Sequence, residues 1–562
     1  MSAPRVVIRG GVVVDGTGAP ARRADLLIEG DRIGGIAADL SPGGNAAPAG
    51  GTIDAIGMVV CPGFVDLHSH ADLIVTLPPQ RQRALMEGRL AQGITTEIIG
   101  NCGLGVFPCA AESMIEQRAI VAWMTPPDAM GWPVPAWSDL AGWSAHLERN
   151  GLWNNVGALQ PHGPLRVVAA GLARAPGTPE VIARMTRALE ASLDAGAFGL
   201  STGLIYPPGI FTEPAEIVAL SRVVRGRCGD GAYIASHIRG SSETLLPAVD
   251  ELIDVGRKSG ARLQHSHNEA VGRDHWGKIE EVLVMEQSAR SSGVAIAYDM
   301  FPYTVAATMM VAIYPPWAID GGIDRLLERL GDPVTRRTIE TAIASHVPTW
   351  PPWTPDGWPH NLIRAVGWDH IAIGSVGSES GKRYEGMNLV ELGRATGKSP
   401  FDAISDLMIA EGGIVSQMIH GISGDEGHEE GIEMLLKHPA GAVCTDANDY
   451  GKGRPHPAGW GAYPKVLGRW VRERRLLSME EAVRKMTGYP ASLIGLKDRG
   501  VIRTGAFADL VVFDPKTVNS AADVANPRRP ATGIRCVLVN GAQVWPPEGS
   551  AANPAGRLLR RA

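Results

Sequence analysis

Two histidines separated by one residue, His68 and His70, are the strongest sign of chemistry in this chain. They end the β-branched and apolar run VVCPGFVDLHSH, which predicts a β-strand. Side chains two positions apart in a strand point to the same side, so both imidazoles can reach one point. Neutral imidazole is a good ligand for Zn²⁺ and related ions. The spacing is therefore consistent with a metal site, although a chance pair of surface histidines would have it too.

Further residues of ligand type follow other predicted strands. Cys102 follows GITTEIIGN, His237 ends YIASH, His267 ends ARLQHSH and Asp446 ends GAVCTD. A lone buried histidine is more often structural than a ligand, and a lone buried thiol is often inert. The carboxyl ends of barrel strands, however, meet at one face, where barrel active sites lie. The convergence of four histidines, a thiol and a carboxylate at such ends predicts a metal site.

The elements that must position these residues alternate between short strands and longer helices over about 62–495. This alternation predicts a parallel sheet with crossover helices, most simply a closed (β/α)8 TIM barrel in an α/β fold. The Val- and Ile-rich segments of 1–61 and 496–562 predict one small β-sandwich built from both termini. A Pro- and Trp-rich stretch at about 317–370 interrupts the alternation and predicts a cap inserted into the barrel.

Composition excludes several classes of function. The chain has 53 basic and 59 acidic residues and a net charge of −6, so nucleic acid is not an expected partner. Six scattered cysteines do not form a disulfide framework, and no apolar run is long enough for a membrane span. We expect a cytoplasmic protein that acts on a small molecule. Monomer and homo-oligomer both remain open.

The order of motifs resembles the amidohydrolase superfamily, and within it the D-aminoacylase or N-acyl-D-amino-acid deacylase family. The motifs are GFVDLHSH, GNCG, PHG, GLIYPPG, two SH pairs, CTDA, ADLVVFDP and VNG, and they extend over nearly the whole chain. The resemblance implies a metal-bearing barrel with a β-sandwich from both termini. It also implies one or two Zn²⁺ ions and hydrolysis of an amide bond.

Carried over residue by residue, the resemblance implies six metal ligands: His68, His70, Cys102, His237, His267 and Asp446. Cys102 matches a thiolate that can bridge two metals. Asp446 matches the catalytic aspartate, which takes a proton from metal-bound water and returns it to the leaving amine. The chemistry agrees independently, because a metal lowers the pKa of bound water to roughly 7 and polarises the amide carbonyl. His265 shares the strand face of His267 but is not predicted to be a ligand.

The sequence departs from the family at the positions that hold a substrate carboxylate. Glu269 stands two residues after His267, where the family has lysine, and Ala458 replaces the arginine of an HPR motif. Phe301 and Ala307 stand for a tyrosine and a serine. A lysine-to-glutamate exchange turns attraction of a carboxylate into repulsion. The missing positive charge could instead come from Arg239, Arg383 or Lys452.

Other residues are predicted to contact substrate by their places in motifs. They are Tyr206 in GLIYPPG, Arg239 after His237, and His162 in PHG. Each could equally be structural, since GLIYPPG fits a turn and a buried arginine often pairs with a carboxylate.

The leading functional hypothesis is hydrolysis of an N-acyl amine or aryl amide that lacks an α-carboxylate. In it Glu269 could also meet a substrate cation. The first alternative is N-acyl-D-amino-acid deacylation, which releases a D-amino acid and a fatty or acetic acid. The second is hydrolysis of a cyclic amide or imide. An inactive barrel acting as a binding protein belongs to a different class and predicts a missing ligand, whereas all six are present.

Tryptophan is unusually frequent, with 14 residues against 9 Tyr and 8 Phe. Two groups are expected over the carboxyl face of the barrel, where they would form a packed lid or an apolar pocket roof. The first contains Trp123, Trp132, Trp137, Trp143 and Trp153, and the second contains Trp350, Trp353 and Trp358.

Overall fold

The computed structural model describes residues 5–40, 51–130, 132, 137–354 and 357–561. Residues 1–4, 41–50 and 562 of the predicted terminal domain, and 355–356 of the predicted cap, lie outside it. The strands are β1 (Arg5–Val13), β2 (Arg22–Glu29), β3 (Arg32–Ala37), β4 (Thr52–Asp54), β5 (Val59–Pro62), β6 (Phe64–Asp66), β7 (Ile94–Ile99), β8 (Asn155–Ala158), β9 (Gln160–Pro161), β10 (Gly199–Gly203), β11 (Tyr233–His237), β12 (Arg262–His265), β13 (Ile296–Met300), β14 (Val305–Met309), β15 (Ile371–Val376), β16 (Val415–His420), β17 (Gly441–Val443), β18 (Leu510–Phe513), β19 (Ile534–Val539) and β20 (Ala542–Trp545).

The α-helices are α1 (Pro79–Leu85), α2 (Glu87–Ala91), α3 (Met114–Val121), α4 (Leu140–Asn150), α5 (His162–Ala170), α6 (Pro179–Asp194), α7 (Pro214–Cys228), α8 (Leu245–Ser259), α9 (Lys278–Ser291), α10 (Ile323–Gly331), α11 (Pro333–Ser345), α12 (Leu362–Val366), α13 (Leu389–Thr396), α14 (Pro400–Ala410), α15 (Glu430–Lys437), α16 (Ala458–Lys465), α17 (Met479–Met486) and α18 (Gly488–Leu493). A π-helical segment, Val466–Glu473, follows α16. None of the helices in the described ranges combines the length and apolar character that a membrane span needs.

The two ends of the chain share one eight-stranded sheet. Its order is β20-β19-β18-β5-β1-β2-β3, and β4 pairs with β1. The junction between the ends is the antiparallel pair β5 and β18, in which Val60 lies opposite Val512. Ile8, Leu26 and Leu510 are fully buried in its core. Neither terminal segment could bury these residues alone, so the pairing across the long middle region is needed to form the sheet.

Eight parallel strands form a closed barrel in the middle of the chain. They are β6, β7, β8 with β9 as one interrupted strand, β10, β11, β12, β13 and β17. The circle closes where the Asp446 N–H donates to the His68 carbonyl and the His70 N–H donates to the Ala447 carbonyl. These strands are buried almost throughout, as expected for a parallel sheet covered by helices. The barrel and the shared terminal sheet confirm the predicted fold class.

The insertion between β13 and β17 is larger than its composition indicated. It contains the antiparallel sheet β14-β16-β15 and helices α10–α14, so it extends well beyond the predicted 317–370 on both sides. Proline and tryptophan mark only its irregular part. The regular strands and helices around that part have the same apolar patterns as barrel units, so sequence alone did not separate them.

Most tryptophans of the first group fill the core rather than line a pocket. Trp132 stacks on Trp137, and Trp143 is fully buried against Phe107. The Trp137 indole donates to the Val106 carbonyl, so its one polar atom is satisfied inside the protein. These contacts agree with a packed lid, and only Trp123 of this group lines the cavity described below.

Candidate active site

The predicted ligand residues follow the carboxyl ends of five barrel strands. His68 and His70 follow β6, Cys102 follows β7, His237 ends β11, His267 follows β12 and Asp446 follows β17. Three of them have positive φ angles, 53° for Cys102, 33° for His267 and 48° for Asp446. Residues other than glycine rarely adopt this conformation, and such strain concentrates at functional sites. The barrel edge therefore holds these three side chains in fixed directions at some energetic cost.

The Cys102 sulfur lies at the centre of the group. Its distances are 3.1 Å to Nε2 of His68, 3.7 Å to Nδ1 of His237 and 3.6 Å to Nε2 of His267. Oδ1 of Asp446 lies 3.4 Å from Nε2 of His68 and 3.2 Å from Nε2 of His70. All six predicted side chains thus meet at one place.

The donor atoms fit a metal ion in more than one way. Cys102 belongs to one group with His68 and His70 and to another with His237 and His267, and in each the donor atoms lie within 4.8 Å of one another. A further group joins His68, His267 and Asp446. Buried imidazole, thiolate and carboxylate donors are the set that Zn²⁺ prefers. Because Cys102 is shared, the arrangement can accept one ion or two.

The charges of the cluster support its use as a metal site. Burial raises the pKa of the Cys102 thiol, but the charge of His68 and hydrogen bonds from His237 and His267 outweigh it and bring the pKa well below the usual range. Burial likewise opposes ionisation of Asp446, yet His68 and His70 lower its pKa to about 2. Cys102 and Asp446 are therefore anionic at neutral pH, the form in which both bind metals.

A cavity opens over the cluster. Tyr206, Glu269 and Ala307, all predicted to contact substrate, line it, and Trp123 does so too. The Tyr206 hydroxyl lies 2.7 Å from Oγ1 of Thr308. Oε2 of Glu269 is buried without a hydrogen-bond partner. Among the described residues, no lysine or arginine lines this cavity.

Comparison with known proteins decides the family. Residues 433–545 match the model of the Amidohydrolase family. The chain is 35% identical to the N-acyl-D-glutamate deacylase of Alcaligenes xylosoxydans xylosoxydans over 99% of this chain and 96% of that protein. It is 30% identical to the D-aminoacylase of the same organism over 99% and 97% of the two chains. A crystal structure of N-acyl-D-glutamate deacylase from Bordetella bronchiseptica, complexed with zinc and a phosphonate inhibitor, superposes with a TM-score of 0.78 at 31% identity and covers 100% of both chains.

The chain belongs to the N-acyl-D-amino-acid deacylase family of amidohydrolases. This membership confirms the predicted class, a metal-dependent amidohydrolase that acts on linear amides.

Four residues of this amidohydrolase that were predicted to contact substrate do not line the metal-side cavity. His162 bonds Glu216 at 2.8 Å beside Arg166, and both are buried. Arg239 is held by both carboxylate oxygens of Glu251, at 2.9 and 2.8 Å. Its charge is therefore used inside the protein, and it lines only a smaller neighbouring cavity. The prediction of a cavity contact is corrected for His162 and Arg239.

The other two corrections concern the region around His456. Phe301 packs edge-on against the His456 ring, with centroids 5.3 Å apart. The Ala458 N–H donates to Nδ1 of His456 at the start of α16. Both are buried and face the packing between β13 and α16 instead of the cavity. Arg383 is exposed and contacts the Tyr384 hydroxyl, so it does not supply the missing charge either.

Two residues of this deacylase-family site escaped the sequence analysis. Asp299, at the end of strand β13, accepts from Nδ1 of His68 at 3.1 Å and from the backbone N–H of His267 at 2.6 Å. Its place as an acidic residue in VAIAYD, at a barrel strand end, is a signal that could have found it. His360, in the insertion, lines the cavity with both ring nitrogens unpartnered, and nothing in its local sequence marks it. His265, not predicted to be a ligand, bonds Glu286 at 2.8 Å.

Proposed function

We propose that this protein hydrolyses a linear N-acyl amide by a metal-dependent reaction with Asp446 as general base and acid. The observation that supports it most is the meeting of all six ligand-type side chains, Asp446 among them, under one cavity. Amide hydrolysis of this kind needs a metal ion to polarise the carbonyl, a water to attack it and a group to carry the proton. No serine nucleophile is required.

His68, His70, Cys102, His237, His267 and Asp446 would hold Zn²⁺, as one ion or two. When bound, Zn²⁺ supplies a lowered pKa for water and polarisation of the amide carbonyl. Asp299 would orient the His68 ring by its hydrogen bond to Nδ1, which leaves Nε2 directed to the metal side.

Asp446 would move the proton. Since its pKa is about 2, the carboxylate is ionised at neutral pH and can accept a proton from the attacking water. It would then return that proton to the nitrogen of the leaving amine, which must be protonated before it departs. The surrounding cavity is largely apolar, with Trp123, Ala307 and Ile419 in its wall, so it limits competing solvent.

The favoured substrate carries no carboxylate next to the scissile nitrogen. Glu269 is the one acidic group of the described cavity wall outside the metal cluster, and no described lysine or arginine balances it. Burial raises the pKa of Glu269 to about 7, so above that pH a substrate carboxylate beside it would be repelled in a poorly solvated space. An N-acyl amine, an aryl amide or a cationic amine portion fits this wall better.

N-acyl-D-amino-acid deacylation is the second candidate, supported by 35% identity to N-acyl-D-glutamate deacylase over 99% of this chain. Nothing in the cavity favours a cyclic amide. An inactive binding protein is disfavoured because no expected ligand is missing or displaced. The proposal includes a small-molecule substrate and a cytoplasmic location. It makes no choice between monomer and homo-oligomer.

A matched pair of substrates separates the two candidates. N-acetyl-D-leucine and N-acetyl-3-methylbutylamine differ only in the α-carboxylate. We expect the zinc-loaded enzyme to have at least about tenfold higher kcat/KM for the amine derivative, because like charges in an enclosed site repel strongly. Glu269→Lys should reverse this preference, and Glu269→Gln should reduce it. A higher kcat/KM of the wild-type enzyme for the acid would overturn the favoured substrate and support the second candidate.

A further inference from the structure

A second cavity adjoins the one over the metal cluster and has no part in the chemistry above. It is a narrow space, and Trp123 and Ala307 line both cavities. Two cations, Lys452 and Arg454, line the second cavity and not the first, whereas Glu269 lines the first and not the second. The two neighbouring spaces therefore have walls of opposite charge.

The cations of the second cavity form no close ion pair with the described part of the protein, and Glu385 attracts both only at longer range. Nζ of Lys452 lies 3.4 Å from the Ala122 carbonyl, and neither Lys452 nor Arg454 forms an ion pair with a described carboxylate. Burial lowers the pKa of Lys452 to about 8, which reflects a desolvation cost that a bound anion would offset. The Tyr450 hydroxyl, also in this wall, is buried without a hydrogen-bond partner. Two cations and a free hydroxyl donor are the groups that bind a carboxylate.

The loop that carries these cations is fixed from both sides. The Arg528 guanidinium donates to both carboxylate oxygens of Asp449 and to the Lys452 carbonyl, the last at 2.7 Å. The backbone N–H of Arg454 donates to the Gly374 carbonyl at 2.7 Å. The loop is thus attached to the segment before β19 and to strand β15. A loop backbone held in this way lowers the ordering cost of binding an anion.

We propose that this second cavity binds a carboxylate of the substrate that is remote from the scissile amide. The proposal rests on the proposed amide hydrolysis and names a substrate class for it. Glu269 disfavours a carboxylate beside the scissile nitrogen, while Lys452, Arg454 and Tyr450 attract one several bonds away. The substrate is therefore an N-acyl amine with an anionic end, on either its amine or its acyl portion.

Two pairs of substrates test this class and distinguish the two portions. On the amine side, 5-acetamidopentanoate is compared with N-pentylacetamide. On the acyl side, the mono-butylamide of glutarate is compared with N-butylpentanamide. The selectivity is the kcat/KM of each acid divided by that of its neutral partner. We expect at least one selectivity to exceed about tenfold, since a hydrogen bond to a charged group contributes on the order of 1.5–3 kcal/mol.

Variants assign that selectivity to the second cavity. Lys452→Met should lower it about tenfold, Arg454→Gln should lower it less, and Lys452→Arg should retain most of it. Lys437→Met, at an exposed position ending α15, is the matched control and should leave both values unchanged. Thermal melting of each variant checks its folding. Selectivities near one, or selectivities that Lys452→Met leaves intact, would overturn the proposal while hydrolysis of the neutral amides still supports the proposed function.

A binding measurement covers the case in which no member of the panel is hydrolysed. Glutarate is titrated into zinc-loaded wild-type enzyme and zinc-loaded Lys452→Met by calorimetry. The proposal predicts about tenfold weaker binding to the variant. Equal dissociation constants would overturn it, whatever the outcome for the hydrolytic reaction.

Discussion

Asp299 accepts a hydrogen bond from Nδ1 of His68 at 3.1 Å, and Nε2 of the same ring lies 3.1 Å from the Cys102 sulfur. One imidazole therefore connects a fully buried carboxylate to the centre of the metal cluster. Asp299 also accepts from the backbone N–H of His267 and from the side chain of Gln264. These bonds hold two ligand-type residues in one orientation, the role that carboxylates beside metal-bound histidines commonly have.

The first prediction concerns Asp299→Asn. Because the amide keeps the shape but not the charge of the carboxylate, we expect zinc affinity to fall about 10- to 100-fold. Competition with a chromophoric chelator measures it. Glu216→Gln is the matched control, since Glu216 is a buried carboxylate whose partners are His162 and Arg166. Equal zinc affinities for Asp299→Asn and the wild type would show that Asp299 does not support the site.

Zinc binding should depend on pH. Burial disfavours the charged forms of His70 and His267, but Cys102 and Asp446 outweigh it, together with Glu269 in the case of His267, and raise both pKa values to about 9. Cys102, Asp299 and Asp446 likewise raise the pKa of His68. At pH 7 all three rings carry a proton that zinc must displace, so zinc affinity should rise as pH increases from 7 to 9. His237, with a pKa lowered to about 4 by burial and by His267, is already neutral there.

Calorimetry in two buffers of different ionisation enthalpy measures the protons released. Zinc binding at pH 7 should release about three protons, one from each of His68, His70 and His267, and fewer at pH 10. The His70→Ala variant should release about one fewer at pH 7. Zinc binding without proton release at pH 7 would contradict the assignment of charge to His70 and His267.

Arg239 is expected to stabilise the fold through Glu251 instead of binding substrate. Arg239 and Glu251 are a buried pair with two hydrogen bonds, so Arg239→Met leaves a buried carboxylate without its partner. We expect a loss of about 3–5 kcal/mol in the free energy of unfolding, and less for the double variant with Glu251→Leu. Urea unfolding measures the loss. If Arg239→Met instead kept its stability and lost selectivity for a substrate carboxylate, Arg239 would be a substrate contact.

The ligand cluster could be predicted from sequence because each member follows a strand of recognisable pattern. His68 and His70 alternate along one strand, and Cys102 and Asp446 directly follow apolar runs. Such local signals suffice, because the barrel brings all strand ends to one face. The positive φ angles of Cys102 and Asp446 add a constraint that the sequence does not express.

The residues that line the substrate cavity were harder to predict, because they depend on contacts between distant segments. Arg239 was predicted to contact substrate because it lies two residues after His237. In the structure it forms an ion pair with Glu251 on helix α8. Phe301 and Ala458 lie near the site in sequence, but both pack around the His456 ring. Which side of a strand or helix a residue faces after packing cannot be obtained from motif position alone.

The most direct test of the proposed reaction is the activity of Asp446→Asn at matched zinc content. The amide side chain cannot accept a proton from water, so kcat for a neutral N-acyl amide should fall by about 10²- to 10⁴-fold. Metal analysis of each preparation separates loss of the proton carrier from loss of zinc. Full hydrolytic activity of a zinc-loaded Asp446→Asn enzyme would contradict the account.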